Sequence, residues 1–315
     1  MNKLPLIILT GPTAVGKTKA SINLAKMVGG EIISADSMQV YRQMDIGSAK
    51  ITKEEMQGVP HYLVDVMNPD EDFSVAEFQK LAKEAMKKIY ENHHIPIIVG
   101  GTGFYIQAIL YDIDFTSCDD DDSYRKEMEE FAKENGAEAL HELLKKTDPA
   151  SAEAIHANNV KRVIRALEFY HQTGKLMSEH NEEERKKESP YNYAYFVLND
   201  DRNILYERID KRVDSMVKEG LVEEVENLHN AGYHKNMVSM QGLGYKEILE
   251  YLTGECTLDE AVYKIKRDTR HFAKRQLTWF RRERDVIWVD RSKLDNSEEK
   301  ILDFMLKKLQ EREMI

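Results

Sequence analysis

Cysteine is almost absent: Cys118 and Cys256 are the only two in 315 residues. They stand far apart and form no CxxC pair, which excludes a disulfide framework and a cysteine zinc site and fits a reducing cytoplasm. Nothing approaches the roughly 18 consecutive apolar residues of a membrane span. The opening MNKLPLIILTGP carries one lysine and a short apolar run ending in a glycine loop, so it reads as a first buried strand and not as a secretion signal. Positive charge in excess is lacking too. The formal net charge of -11 excludes a protein that coats nucleic acid indiscriminately, although a net value hides local patches. The histidines show no zinc-ligand spacing, and His93-His94 before Ile95 reads as a loop at a strand start. Internal repeats and low-complexity segments are missing as well. What remains is an ordinary globular balance, 42% hydrophobic and 32% charged, enough for one large domain or two of common size.

Against that plain background one stretch stands out. Gly11-Pro-Thr-Ala-Val-Gly-Lys-Thr18 fills every fixed position of the phosphate-loop pattern G-x-x-x-x-G-K-[ST]. The apolar run Leu6–Leu9 precedes it and helical spacing from Lys17 to Val28 follows, the strand-to-helix context that the motif requires. Backbone N–H groups of Gly11, Thr13, Ala14, Val15 and Gly16 would face an anion at a helix start, with Lys17 adding a full charge and Thr18 a hydroxyl for a magnesium ion shared with the phosphates.

Glu31–Ser34, Tyr62–Val66 and Pro96–Gly100 are further Ile- and Val-rich runs, with helical patterns such as Val75 to Tyr90 between them. This alternation predicts an α/β fold, a mostly parallel sheet flanked by helices around a phosphate-loop core. From Asp119 to Thr173 only helical periodicity appears, broken at Gly136, Asp148-Pro149 and Gly174. The charged run Glu179–Glu188 reads as a solvated linker or helix end. Tyr193–Leu198 then resumes a buried-strand pattern, Ile287–Val289 suits an edge strand, and Thr257 opens a helix with a capping box to Glu260. The expected organisation is a core in two parts, residues 1–115 and 190–315, interrupted by an all-helical insertion at 116–189.

Phosphate binding alone does not choose a reaction. A kinase would add an acid at a neighbouring strand end to hold its metal, and Asp65 in Tyr62-Leu-Val-Asp65 is a candidate; an NTP-driven RNA-binding switch would use the same loop. The other candidate strand end, Gly100-Gly-Thr-Gly103, has no acid, and its glycines would let a substrate backbone or ring come close. Asp36, in Ser34-Ala-Asp-Ser-Met-Gln-Val-Tyr-Arg42, follows a strand and should face the same crevice, where its carboxylate could accept a proton. Between Lys264 and Arg284 nine Lys/Arg residues oppose only Asp268 and Glu283, and Arg267, Arg270, Lys274 and Arg281 share one helical face. Lys161, Arg162 and Arg165 form a second basic cluster, after Asn158-Asn159 as a cap, although residues 119–188 hold 12 Lys/Arg against 18 Asp/Glu.

These residues together resemble the tRNA dimethylallyltransferase family, also called tRNA isopentenyltransferases. The resemblance rests on GPTAVGKT, on ISADSMQVYRQMDIGSAK at Ile33–Lys50, on IIVGGTGFY at Ile97–Tyr105, on QGLGYKEI at Gln241–Ile248 and on TRHFAKRQLTWFRR at Thr269–Arg282. It implies transfer of the dimethylallyl group from dimethylallyl diphosphate to N6 of the adenine immediately 3′ of a tRNA anticodon. The phosphate loop would then hold the diphosphate leaving group, with magnesium at Thr18 and Arg212 contacting the diphosphate from the opposite side. Asp36 would be the base, and Thr102 would line the reaction channel. The tRNA would meet Asp36, Ser37, Met38, Gln39, Thr102, Arg125, the cluster Lys161, Arg162 and Arg165, and Lys274, Arg275, Gln276 and Arg281. No obligate protein partner is implied.

Overall fold

The first apolar run becomes β1 (Pro5–Thr10), which the phosphate loop carries directly into α1 (Lys17–Val28). The structure is a computed structural model and describes residues 3–115 and 123–315. Cys118 and the expected start of the insertion at 116–122 lie outside the described residues. Next come β2 (Gly30–Ala35), α2 (Lys53–Met56), β3 (His61–Tyr62), α3 (Val75–Glu91), β4 (Ile95–Gly100) and α4 (Gly103–Leu110). The segment 111–189 holds α5 (Ser123–Thr147), α6 (Pro149–Ala154), α7 (Val160–Thr173) and α8 (Met177–Lys186). The chain continues through β5 (Asn192–Asn199), α9 (Arg202–Lys218), α10 (Leu221–Asn230), α11 (Tyr245–Leu252), α12 (Leu258–Phe280), β6 (Val286–Asp290) and α13 (Glu298–Glu311).

The strands form one parallel sheet in the order β3-β2-β4-β1-β5-β6. Leu6, Ile7, Ile8 and Leu9 are all fully buried, as a strand with both faces covered requires. Ile7 and Leu9 join a cluster with Leu24 of α1 and Ile301 and Met305 of α13, while alternation turns Leu6 and Ile8 to the other face. β5 pairs with β1, so after the helical segment the chain returns to the centre of the sheet.

The run Tyr62–Val66 does not continue as a strand. Leu63 and Asp65 take positive φ of 62° and 56°, and the N–H groups of Asp65 and Val66 donate to the carbonyls of Gln39 and Val40. The segment wraps the loop after β2 instead of lengthening β3.

Two compact units result, residues Met1–Leu110 with Pro190–Ile315, and Tyr111–Ser189. The second is built on Leu140, Leu144, Val163, Ile164 and Leu167. Gly136 interrupts its first helix at φ 88°, Asp148 caps α6 by accepting from the Ser151 N–H, and Gly174 closes α7 in the left-handed region. The charged run expected as a solvated linker or helix end is mostly the helix α8.

Candidate active site

Register decides what meets at the carboxyl edge of the sheet. Thr10 is level with Gly100, and Gly100 with Ala35, so the next residues Gly11, Gly101 and Asp36 leave three neighbouring strands side by side, about 5 Å from one to the next. The phosphate loop, the glycine loop and the acid therefore share one crevice. Gly11 and Gly16 hold φ of 146° and 94°; a Cβ on Gly11 would lie 2.5 Å from the Leu198 carbonyl oxygen. No side chain caps the start of α1, which leaves its first amides for an anion.

Lys17 folds back over this loop, its Nζ donating to the carbonyls of Gly11 (3.0 Å) and Pro12 (2.9 Å). Burial pushes its pKa down to about 8; Asp36 acts against the shift, and the Arg212 guanidinium adds to it. Arg212, on α9, is itself lowered by burial, with Glu55, Asp36 and Glu219 opposing. As a residue Arg212 is exposed, so it stands in a crevice walled by protein but open to water, and it keeps its charge. Lys17, Asp36 and Arg212 thus sense one another across that crevice.

Asp36 is oriented by its own loop. Its Oδ1 accepts the N–H of Met38 at 2.9 Å and of Gln39 at 3.4 Å, an Asx turn that leaves Oδ2 without a bond among the described residues. Ser37, Met38 and Gln39 are partly exposed beside it; Met38 packs on Gly242, and the Gln39 side chain donates to the Ala49 carbonyl. Thr102 immediately precedes α4, its N–H donating to the Ala35 carbonyl and its carbonyl accepting from Tyr105 and Ile106.

Protein atoms fill the space beside Gly100, Gly101 and Gly103. A Cβ on Gly100 would collide with the Ala35 backbone, on Gly101 with the Gln276 amide and on Gly103 with the Trp279 indole. Gln276 is 6% exposed and joins the two loops: its Oε1 accepts the Thr13 N–H at 3.0 Å, and its Nε2 donates to the Gly101 carbonyl at 3.0 Å. Just beyond the end of the same helix, Glu283 receives a 2.7 Å hydrogen bond from Gln107 and its pKa is pushed up to about 7 by burial. A bridge of this kind carries no sequence signal beyond an amide at a helix position facing the core.

Asp65 does not serve the crevice. It accepts from Lys50 at 2.6 Å next to an edge strand two places removed from β1's neighbour on that side of the sheet, while that neighbour, β4, ends in glycine. The metal acid of the kinase reading is therefore absent from the strand end where it is needed.

The basic face of α12 divides in two. Lys266 and Arg270 pair with Asp214 and Asp210 of α9, and Lys264 and Arg267 with Glu250 and Asp268. Lys274, Arg281 and Arg282 are exposed with no such partner among the described residues, and Arg275 lies over the Phe272 ring at 5.7 Å. His271, Lys274, Arg275, Thr278, Trp279 and Arg282 line a groove of about 390 Å³ there.

Within the helical unit, Lys161 and Arg162 are exposed in the first turn of α7, a turn that contains no acid and where the helix dipole disfavours them. Asn159 is the N-cap by position, but its side chain makes no capping bond, contrary to the expectation from sequence. Arg125 and Arg165 converge on Glu168, which is 1% exposed, at 3.0 and 2.8 Å. Burial would raise the Glu168 pKa; the two guanidiniums outweigh it and hold the carboxyl below its ordinary range.

Among the described residues no three His, Cys, Asp or Glu side chains could together hold a metal ion, and no helix is long and apolar enough to cross a membrane. A phosphate loop facing an aspartate and an arginine at the carboxyl edge of a parallel sheet places the molecule among the α/β phosphate-loop proteins. Within that class the chain belongs to the IPP transferase family, which it matches over residues 39–283. It is 65% identical over 312 residues to a tRNA dimethylallyltransferase of Lachnoclostridium phytofermentans, covering 99% of each chain. The full-length tRNA isopentenylpyrophosphate transferase of Bacillus halodurans is 47% identical with a TM-score of 0.74, over 99% of this chain and 98% of that one. A eukaryotic dimethylallyltransferase acting on tRNA is 30% identical with a TM-score of 0.77, over 91% of this chain and 74% of that one.

Proposed function

We propose that the protein transfers the dimethylallyl group of dimethylallyl diphosphate to N6 of the adenine immediately 3′ of a tRNA anticodon. It would act in the cytoplasm and need no protein partner. The observation that carries this reading is the meeting of Lys17, Asp36 and Arg212 in one open crevice at the end of the phosphate loop, in a chain of this family.

The carbon–oxygen bond to diphosphate breaks and its electron pair leaves with the phosphate. A bond forms from N6 to the allylic carbon, and N6 gives up a proton. The N–H groups of Ala14, Val15 and Gly16, with Lys17 and Arg212, would face the oxygen on which charge grows, and one such donor commonly lowers a barrier by about 3 kcal/mol. A guanidinium suits paired phosphate oxygens. Asp36 would take the N6 proton on Oδ2, and since the ring withdraws the N6 lone pair, aiming it counts for as much as basicity. Thr102 lines the acceptor's side.

Magnesium fits the donor set in one way. Thr18, exposed in the first turn of α1, supplies a single hydroxyl, which suits an ion held mostly by diphosphate oxygens and water. Bound there, it would neutralise charge on the leaving group.

Lys274, Arg275 and Arg281, which have no carboxylate partner among the described residues, supply a basic surface for RNA phosphates, and Gln276 acts behind it by joining the two loops. In the helical unit, Lys161 and Arg162 at a helix start, with Arg125 and Arg165 braced by Glu168, suit the anticodon stem-loop. The target base must leave its stack for this chemistry.

The direct test is mass analysis of an unmodified anticodon stem-loop after incubation with the protein, magnesium and dimethylallyl diphosphate, without ATP. One dimethylallyl unit on the adenine 3′ of the anticodon is expected; no gain on any competent tRNA sinks the reading.

A further inference from the structure

The loop from Asp36 to Lys50 is gripped from outside by one carboxylate. Glu224 of α10 accepts the N–H groups of Asp45 (2.9 Å) and Ile46 (2.7 Å) on Oε2 and of Gly47 (3.1 Å) on Oε1. The same Oε1 accepts from the Tyr245 hydroxyl at 2.7 Å. Tyr245 is fully buried, and its ring covers Gly47 so closely that a Cβ there would lie 2.6 Å from ring carbons. Burial and Glu224 both raise the tyrosine pKa far above its ordinary value, so the hydroxyl remains a donor. Four donors on one carboxylate make a strong charge-assisted set.

Inside the loop the grip is carried back to its start. Lys50 donates to the Tyr41 carbonyl and to Asp45 and Asp65, each at 2.6 Å, and Gln39 reaches the Ala49 carbonyl at 3.1 Å. Asp36 is the first residue of this unit. On the other side, α10 packs on α9, and α9 carries Arg212. Glu224 is therefore a direct link between the frame that holds the proton acceptor and the frame that holds the arginine at the leaving group.

We propose that Glu224 and Tyr245 form a positioning pair that sets Asp36 in register with the diphosphate end of the crevice. The proposal rests on the transferase reading above. Neither residue touches a reacting atom; both act through the loop. Misplacement of a reacting group by about 1 Å costs on the order of 100-fold in rate, so loosening this link slows transfer more than it weakens either substrate's binding.

Single-turnover transfer to an anticodon stem-loop tests it, with Glu224→Gln, Tyr245→Phe, Asp36→Asn and the Glu224→Gln/Asp36→Asn double variant. Glu224→Gln keeps the shape but sets an amide against N–H donors. It should slow transfer roughly 10- to 100-fold, with dissociation constants for both substrates within about threefold of wild type and faster amide exchange at residues 45–47. Tyr245→Phe keeps the ring on Gly47 and should cost less, about threefold to tenfold for one missing hydrogen bond. In the Asp36→Asn background, Glu224→Gln should cost less than about twofold, because coupled residues are non-additive. An equal loss in both backgrounds, or none in wild type, overturns the proposal. A wild-type protein that transfers nothing overturns the transferase reading itself, a result distinct from either. Should Glu224→Gln not fold, Tyr245→Phe in both Asp36 backgrounds decides by the same criterion.

Discussion

Single side chains in the crevice make separable demands. Asp36→Ala should keep tRNA binding and lose roughly 10²- to 10⁴-fold in turnover, the range of general base catalysis; rapid-quench transfer beside filter binding checks it, and unchanged turnover removes Asp36 from the role. Lys17 gives a pH signature. Its pKa, pushed down to about 8 by burial, means that the charge is present below pH 8 and lost above it. Affinity for dimethylallyl diphosphate should therefore fall as pH rises through 8, and Lys17→Ala should show weaker binding without that fall. Gln276→Ala removes both bonds between the Thr13 and Gly101 loops. A buried pair of this kind contributes on the order of 1–3 kcal/mol, and the loss should appear in kcat with little change in the salt dependence of RNA binding. Direct binding of phosphate by Gln276 would show the opposite pattern.

A helix can present charge that its own neighbours have already neutralised, and α12 does both things along its length. Its first half spends Lys264, Lys266, Arg267 and Arg270 on carboxylates, whereas Lys274, Arg281 and Arg282 have no carboxylate partner among the described residues. Lys274→Ala with Arg275→Ala should weaken tRNA binding and flatten its salt dependence, by about 0.7 in slope for each single-stranded phosphate that is no longer neutralised. Lys266→Ala should leave the slope unchanged. Binding isotherms across a salt series distinguish the halves. The sequence displayed the whole stripe, because charge and helical spacing are local; it could not display the division, because Asp210 and Asp214 stand far earlier in the chain, on α9.

Across the molecule, buried carboxylates tie stability to pH. For Glu31, Asp148 and Glu168 burial acts to raise the pKa, and hydrogen bonds outweigh it: Tyr62, His94 and Asn92 on the first, Ser151 and Ser178 on the second, Arg125 and Arg165 on the third. All three are lowered in the folded state. Their contribution is present above the ordinary carboxylate pKa of about 4 and is lost as pH falls through the depressed values, so melting temperature should hold steady near neutrality and drop steeply below about pH 4. Glu168→Gln should remove the part of that drop that belongs to the helical unit and impair tRNA binding, while diphosphate binding to the other unit stays within about twofold, a bound set by additivity of distant sites. Calorimetry over a pH series, with both binding assays at pH 7, measures it.

The sequence by itself determined the parallel α/β core, the helical segment, the phosphate loop at a strand-to-helix junction and the family, because all of these are written in local pattern: apolar runs, a 3.6-residue period, glycines at fixed spacing. It placed α1 and the capping box at Thr257 within the chain for the same reason. Only the tertiary structure decided which side chains stand together. Strand order and register brought Asp36, Gly101 and the phosphate loop to one edge and removed Asp65 from it. Packing turned Gln276 inward between two loops, filled the space over Gly100, Gly101 and Gly103 with protein, and set Glu224 on a loop about 180 residues earlier in the chain, with Tyr245 beside it. Pairings of that separation leave no periodicity to read, since the partners are chosen by the fold and not by their neighbours in sequence.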